Sequence, residues 1–260
     1  MLAQDAGFCP SRITEIGAGA SRRLLAYGER MMVLPEQSLR LTVSGGRERA
    51  FSVRQAVIAG WTGRDPAALE KHIRELEDVG VTRPSSVPIF YRVSTNRVVT
   101  SAVIEVSGDR SSGEAEFVLV QSEGRLYVGA GSDHTDRVVE TYGIAVSKQM
   151  CDKPVAPELW DFSDVSGHWD TLLLRSWIWE GDRRVLYQEG PVSTMRAPAD
   201  LIERCTGNTE LPEGTVMFCG TLDARGGVRP SRRFEFELED PVRGHRIRHA
   251  YDVVSLPIAA

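Results

Sequence analysis

The sequence has few cysteines and no long apolar segment. Its four cysteines are scattered over 260 residues without a Cys-x-x-Cys pair, which argues against a zinc ribbon or a disulfide scaffold and is typical of a reducing cytoplasm. Apolar runs are only a few residues long, whereas a membrane-spanning helix needs roughly 20. The first residues contain no basic stretch followed by an apolar one, so no secretory signal is recognised. We therefore expect a cytoplasmic protein that does not bind a membrane.

An excess of basic charge is also absent. The formal net charge is −5 at pH 7, so the charge balance does not favour a nucleic-acid partner. Apolar residues make up 42% of the chain and charged residues 26%, a composition typical of globular proteins and not of disordered ones. A chain of this length can bury a substantial core without disulfides.

Residues 1–37 differ from the rest of the chain. They contain many small residues and two consecutive methionines, Met31 and Met32, but no clear strand pattern. We interpret them as an N-terminal extension whose order the sequence leaves open, and we place the main domain at residues 38–260.

From Leu39 onward, alternating apolar and polar residues predict mostly β-structure, with residues 50–59 forming one strand. One helix stands out, because Asp65 is a good N-cap, Pro66 suits the first helical position and Gly80 suits the C-terminus. The predicted fold class is α+β and rich in β-structure. Two short helices are predicted around Val138–Tyr142 and Ala199–Cys205, and further strands at Ile89–Val93, Ala102–Val106, Glu116–Gln121, Arg125–Gly129, Thr171–Trp179, Arg184–Tyr187, Thr215–Phe218, Phe234–Glu239 and Arg246–Val254.

Three acidic residues could converge on one predicted hairpin. Glu114 and Glu116 are two residues apart, so on a strand they share a face. If the chain turns back at Glu123–Gly124, Glu116 opposes Gly131 and Glu114 opposes Asp133, with about 5 Å between opposing side chains. Like charges this close are unfavourable without a cation, and oxygen ligands favour a hard divalent ion such as Mg²⁺.

The same spacing has a second interpretation, a solvated hairpin end whose acids pair with Arg125 or Arg137. His134 and Asp136 flank Asp133 and are alternative ligands. By alternation from Asp133, His134 points away from the cluster, which favours Asp133. Spacing alone leaves the metal site and the solvated hairpin both open.

Several motifs in this chain resemble those of the fumarylacetoacetate hydrolase superfamily, whose members use a Glu-x-Glu plus Asp metal site. The similar motifs occur in the same order as in the family from about Val53 to Val253. The sequence of residues 131–136 looks like that of a bacterial branch that carries only a domain-of-unknown-function label. The similar segments are Phe90–Thr95 to F-x-K-P-S-T, Asp133–Arg137 to D-x-[ST]-x-R, Ser147–Gln149 to the family's lysine site, and Tyr187–Met195 to R-Q-x-G-x-[ST]-x-M.

Residues 72–75 are similar to the His-x-x-Glu of the acylpyruvate hydrolases in this superfamily, where the pair handles water. On the predicted helix, His72 and Glu75 are three residues apart and share a face. A carboxylate beside an imidazole raises its basicity and fixes its orientation. Such a pair is also common on a solvated helix face, and it is the metal motif downstream that favours a catalytic pair.

The resemblance implies a mixed β-roll or sandwich with few helices, a homodimer, and a Mg²⁺ or Mn²⁺ cofactor. It implies a hydrolase that cleaves a carbon–carbon bond in an acylpyruvate-type 2-oxo acid. The roles it assigns are metal ligation by Glu114, Glu116 and Asp133, catalysis by His72, Glu75 and Lys148, and substrate binding by Arg92, Arg137, Gln188 and Thr221.

The chain departs from the family pattern at several positions. Arg92 replaces a lysine, Cys219 and Leu222 replace the first threonine and the proline of T-G-T-P, and Ala156 replaces the glycine of G-P. Substrate identity therefore does not transfer. A hydratase, decarboxylase or isomerase of a related 2-oxo or enol acid is an alternative. A non-catalytic 2-oxo-acid-binding protein on the same fold and a metal-independent interaction domain are alternatives of another class.

Overall fold

The computed structural model describes residues 24–27, 30–33, 36–78 and 83–259. The chain divides into two units, residues 1–36 and 37–260. In the first, two short strands pair antiparallel. Most of the predicted extension lies outside the described residues, so its order and the predicted domain boundary stay predictions. No helix among the described residues is long and apolar enough to cross a membrane.

Strands dominate the described chain, and the helices are few and short. The α-helices are α1 (Pro66–Asp78), α2 (Arg137–Glu140), α3 (Ile144–Met150) and α4 (Pro198–Thr206). The strands are β1 (Leu24–Tyr27), β2 (Arg30–Val33), β3 (Gln37–Val43), β4 (Arg49–Val53), β5 (Gln55–Gly60), β6 (Ile89–Val93), β7 (Val98–Val99), β8 (Val103–Ser107), β9 (Ser111–Ser112), β10 (Ala115–Ser122), β11 (Arg125–Ser132), β12 (Thr135–Asp136), β13 (Lys153–Pro154), β14 (Glu158–Asp161), β15 (Leu173–Glu180), β16 (Arg183–Pro191), β17 (Thr215–Thr221), β18 (Arg233–Asp240) and β19 (His245–Leu256).

Two sheets form the body of the second unit. The larger has eight strands in the order β4-β3-β14-β11-β10-β17-β5-β6, and the smaller has five in the order β16-β15-β18-β19-β8. Only Arg54 separates β4 at one edge of the larger sheet from β5 near the other edge. The larger sheet must therefore curl on itself. The many strands and few short helices confirm the predicted α+β class, which is rich in β-structure.

Strand β10 is buried on both faces, because the larger sheet packs against apolar residues on each side. On one side, Phe117 and Leu119 pack in a cluster with Leu174 and Phe236 of the smaller sheet. On the other side, Val118 packs in a second cluster that includes Leu41, Phe51 and Phe218. A hairpin buried this deeply gives any polar side chain on it a fixed position and little water.

Local signals located most elements but missed some. Helix α1 begins as predicted, with Asp65 Oδ1 accepting a hydrogen bond from Ala67 N at 2.8 Å, whereas Gly80 lies outside the described residues. The single strand predicted over residues 50–59 was wrong. There the chain forms two strands, because the N–H groups of Arg54 and Gln55 both donate to the Gly214 carbonyl between them. Helix α3, whose N-cap is a glycine, and strand β14, four residues long, were not predicted.

Candidate metal centre

The hairpin of β10 and β11 has the predicted register. Glu116 pairs with Gly131, and Ser122 pairs with Arg125 across the turn. Glu123 and Gly124 form this turn with φ values of 53° and 69°, a two-residue loop that matches the twist of the strands. The pairing extends past the strand ends, since Asp133 N donates to the Glu114 carbonyl at 2.9 Å.

The predicted convergence of three carboxylates is present. Glu114, Glu116 and Asp133 each contribute an oxygen, and these oxygens lie within 4.8 Å of one another. Glu116 and Asp133 are buried, and Glu114 is partly buried. Burial excludes the fully solvated hairpin end that the spacing also allowed.

Glu116 is held by the backbone of β17. Its Oε2 accepts the N–H of Gly220 at 2.6 Å. Gly220 has a φ of +100°, and a Cβ atom built there would lie 1.7 Å from Thr62 Oγ1, so only glycine fits. Burial and the neighbouring carboxylates of Asp133 and Glu114 raise the pKa of Glu116 well above its usual value.

Asp133 lies between two buried lysines. Lys148 of α3 contacts Oδ2 in a short ion pair, and Lys153 of β13 lies 3.3 Å from Oδ1. Burial alone would raise the pKa of Asp133, but the two ammonium groups lower it to about 2. Lys148 is buried, since its side chain is only 8% exposed. Burial lowers the pKa of Lys148, but Asp133 and Glu114 raise it overall, so its ammonium stays charged.

Arg137 pairs with Glu114 at 3.1 Å, as the solvated-hairpin interpretation expected. It also pairs with Glu140 at 2.8 Å and donates to Ser112 Oγ at 2.7 Å. These contacts place Arg137 at the rim of the carboxylate cluster. Its predicted role in binding a substrate stays a prediction.

His134 lies behind the cluster, as the alternation predicted. Its Nδ1 is 2.9 Å from the Tyr251 hydroxyl and its Nε2 is 2.8 Å from Ser111 Oγ. Burial and the charges of Lys153 and Arg137 lower the pKa of His134 to about 3. Asp136 also faces away from the cluster, because its carboxylate caps the start of α2. Neither His134 nor Asp136 therefore points into the cluster.

Gln188 is buried and its amide is fully hydrogen-bonded. Its oxygen accepts from Ala115 N at 2.9 Å and from Ser176 Oγ at 2.8 Å. Its nitrogen donates to Thr221 Oγ1 at 2.8 Å and to the Leu222 carbonyl at 2.5 Å. Gln188 and Thr221 therefore fix the start of β10, and their predicted contact with a substrate stays a prediction.

Strand β6 presents Tyr91, and not Arg92, to the cluster. The Tyr91 ring centroid lies 5.8 Å from Lys148 Nζ, and the Tyr91 side chain also bonds to Trp61. Arg92 is the next residue on the strand and is exposed, so alternation directs it to the opposite face. Sequence reasoning missed Tyr91, because it occupies the variable position of the F-x-K-P-S-T segment.

His72 and Glu75 lie within helix α1. The structure describes their backbone but not their side chains, so the predicted pair stays a prediction.

The family model described as "Protein of unknown function (DUF2848)" matches residues 59–251. This range contains the three carboxylates and both buried lysines. No curated protein matches the sequence significantly.

Several solved structures share the fold. A crystal structure of Cg1458 with an inhibitor is 17% identical, with a TM-score of 0.60 over 90% of this chain and 89% of that one. A putative fumarylpyruvate hydrolase from Burkholderia cenocepacia is 20% identical, with a TM-score of 0.56 over 85% and 96%. A 2-keto-3-deoxy-D-arabinonate dehydratase complexed with magnesium and 2,5-dioxopentanoate is 14% identical, with a TM-score of 0.57 over 78% and 74%. At these identities the likeness shows the fold alone, which matches the fumarylacetoacetate hydrolase-like, β-rich fold predicted from the sequence.

Proposed function

This chain belongs to the DUF2848 family, and we propose that it is a divalent-metal-dependent hydrolase that cleaves a carbon–carbon bond in an acylpyruvate-type 2-oxo acid. The observation that carries the proposal is the buried convergence of Glu114, Glu116 and Asp133. The magnesium-bound dehydratase and the putative fumarylpyruvate hydrolase that share the fold support the same class of chemistry.

The residues of the cluster suit a hard cation. Among the described residues, Glu116 forms no ion pair with lysine or arginine, although it is only 2% exposed. A buried carboxylate without a cation is unfavourable, and its raised pKa reflects that cost. Three carboxylate oxygens without nitrogen or sulfur favour Mg²⁺ or Mn²⁺. Glu114, Glu116 and Asp133 would hold the ion.

The bound ion would supply Lewis-acid stabilisation of the negative charge that develops on the keto oxygen of the substrate. The charged Lys148 would donate a hydrogen bond towards the same oxygen. Arg137 would bind the substrate carboxylate, and Gln188 and Thr221 would lie beside its distal part. Arg92 is left out of this role, because it is exposed on the opposite face of β6.

The water chemistry falls to helix α1. His72, oriented by Glu75, would take a proton from water, and the water oxygen would bond to the distal carbonyl carbon. The carbon–carbon bond next to that carbonyl then breaks, and its electron pair stays with the pyruvate fragment, which takes up a proton. The products would be a carboxylic acid and pyruvate. We expect the protein to act as a homodimer in the cytoplasm.

A second candidate is a hydratase or dehydratase of a related 2-oxo acid, because a 2-keto-3-deoxy-D-arabinonate dehydratase shares the fold. Decarboxylation and isomerisation need the same stabilisation of charge on the keto oxygen. A non-catalytic 2-oxo-acid-binding protein is the candidate of another class, and the replacements at Cys219 and Leu222 are compatible with it.

The test is turnover of acylpyruvates, oxaloacetate and 2-keto-3-deoxy acids by the purified protein, with Mg²⁺, with Mn²⁺ and with EDTA. A hydrolase releases pyruvate and a carboxylic acid only when the metal is present. His72→Ala should abolish this turnover and leave Mg²⁺ binding intact. Metal-dependent binding of oxalate without turnover of any of these compounds would favour the binding protein and contradict the hydrolase.

A further inference from the structure

Lys153 is a second buried lysine at the carboxylate cluster, and neither the sequence motifs nor the proposed mechanism uses it. We propose that Lys153 is a positioning residue that holds Asp133 in the orientation in which its carboxylate faces Glu114 and Glu116. This inference rests on the proposed metal site.

The Lys153 ammonium contacts three oxygen atoms. Nζ donates to the His134 carbonyl at 2.5 Å and to the Cys151 carbonyl at 3.0 Å, and it lies 3.3 Å from Asp133 Oδ1. Because His134 directly follows Asp133, Lys153 contacts both the side chain of Asp133 and the backbone carbonyl of the next residue. The Lys153 side chain is 0% exposed, so water does not compete for these contacts.

The two lysines divide the Asp133 carboxylate between them. Lys148 contacts Oδ2, while Oδ1 contacts Lys153 and lies 3.3 Å from Thr135 Oγ1. With both oxygens engaged from different directions, the carboxylate cannot rotate without losing a charged contact. Lys148 also lies beside the Tyr91 ring, whereas the other polar contacts of Lys153 are the backbone carbonyls of His134 and Cys151.

Lys153 is itself firmly anchored. Its strand β13 pairs in parallel with β7, where Lys153 is opposite Val98, and Val155 N donates to the Val99 carbonyl at 2.8 Å. A fully buried ammonium is unfavourable, and lysine is almost never fully buried without a partner. A methionine of similar length would fill the same space without that cost. The charge is therefore explained by its contact with Asp133.

A positioning role and a purely electrostatic role predict opposite effects on metal affinity. If Lys153 acted only as a positive charge near a divalent cation, removing it would reduce repulsion and tighten metal binding. If it holds a ligand in place, removing it lets Asp133 reorient and weakens binding. Changes to such outer partners of metal ligands typically cost about 10- to 100-fold in affinity.

The experiment is calorimetric titration of Mn²⁺ into the full-length wild type, Lys153→Met, Lys153→Gln and Glu116→Gln. We expect Mn²⁺ binding by Lys153→Met to be at least about tenfold weaker than by wild type. Lys153→Gln keeps a hydrogen-bond donor and should lose less. It also provides the test if Lys153→Met does not fold. Leu238→Ala is the control for destabilisation, because Leu238 belongs to the core between the two sheets, on the face of β10 opposite to Glu116, and its loss should leave Mn²⁺ affinity unchanged.

Equal or tighter Mn²⁺ binding by both folded Lys153 variants would overturn the positioning role. If wild type binds Mn²⁺, Glu116→Gln does not, and the Lys153 variants match wild type, only this inference falls. If wild type binds no Mn²⁺, the proposed metal site falls and the inference falls with it.

Discussion

Glutamates alternate with apolar residues on two stretches of this chain, and the two sets of carboxylates have very different surroundings. Glu114 and Glu116 lie at the start of β10, and Glu235, Glu237 and Glu239 follow one another along β18. Glu116 and Glu237 are both 2% exposed. Burial and spacing therefore do not distinguish the two sets.

The partners of the carboxylates do distinguish them. Glu237 lies between arginines of the flanking strands, 3.2 Å from Arg175 and 3.0 Å from Arg248. Glu116 accepts the backbone N–H of Gly220 and is opposite a glycine, Gly131. On β18 the protein supplies its own cations, which makes a structural ion-pair ladder. At Glu116 it supplies a neutral backbone donor, and no lysine or arginine among the described residues forms an ion pair with this carboxylate, which suits an external cation.

The largest effect that would sharpen this comparison is on metal affinity. We expect Glu116→Gln to weaken Mn²⁺ binding by more than about 100-fold, beyond the usual cost of losing an outer partner of a ligand. Glu237→Gln is the matched control, with unchanged Mn²⁺ affinity and a stability loss of about 2 kcal/mol from its weakened ion pairs. Titration of Mn²⁺ and urea unfolding measure the two effects. Equal loss of Mn²⁺ binding in both variants would break the comparison.

Two glycines with positive φ, Gly220 beside Glu116 and Gly181 beside the smaller sheet, allow the same comparison for the backbone. Gly220→Ala would place a Cβ atom 1.7 Å from Thr62 Oγ1 at a φ of +100°, so we expect a stability loss of about 3 kcal/mol or more from the clash and the strain. It should also weaken Mn²⁺ binding, because the N–H that holds Glu116 must move.

Gly181→Ala is the matched control in the smaller sheet. Its φ is +63° and nothing lies within 4 Å of the added Cβ, so only the backbone strain of about 1–2 kcal/mol remains. Urea unfolding should separate the two alanine variants. An equal loss of stability would mean that Gly220 is not confined by Thr62.

The smallest effect on stability is expected from the exposed arginine of the β18 ion-pair ladder, Arg248. The Arg248 side chain is 53% exposed, so solvent screens its ion pairs with Glu235 and Glu237. Arg248→Met should cost about 1 kcal/mol or less and leave Mn²⁺ affinity unchanged. Raising the salt concentration should reduce the difference in unfolding free energy between this variant and wild type. A loss several times larger would show that the ladder is more than a surface feature.

The hairpin that carries the site was predictable because its signals are local. Alternation fixed which face Glu114 and Glu116 share, and the Glu123–Gly124 turn fixed the register that brings Asp133 opposite them. The same local reasoning located the start of α1 at Asp65.

The partners that give the hairpin its chemistry could not be predicted in this way. Gly220 reaches Glu116 from β17, more than 100 residues later in the chain, and Lys153 reaches Asp133 from a strand of two residues. A lysine in a sequence is normally read as a surface residue, and only the tertiary structure shows that Lys148 and Lys153 are buried. Tyr91 was missed for a related reason, since its ring faces Lys148 only after β6 pairs with β5.

The most direct test of the central claim is calorimetric titration of Mg²⁺ and Mn²⁺ into wild type and Glu116→Gln, with and without oxalate, a mimic of the pyruvate enolate. The account predicts that only wild type binds the metal and that oxalate tightens this binding. If the metal binds wild type and Glu116→Gln equally, or binds neither, the buried carboxylates of the hairpin are not a metal site and the proposed 2-oxo-acid chemistry is contradicted.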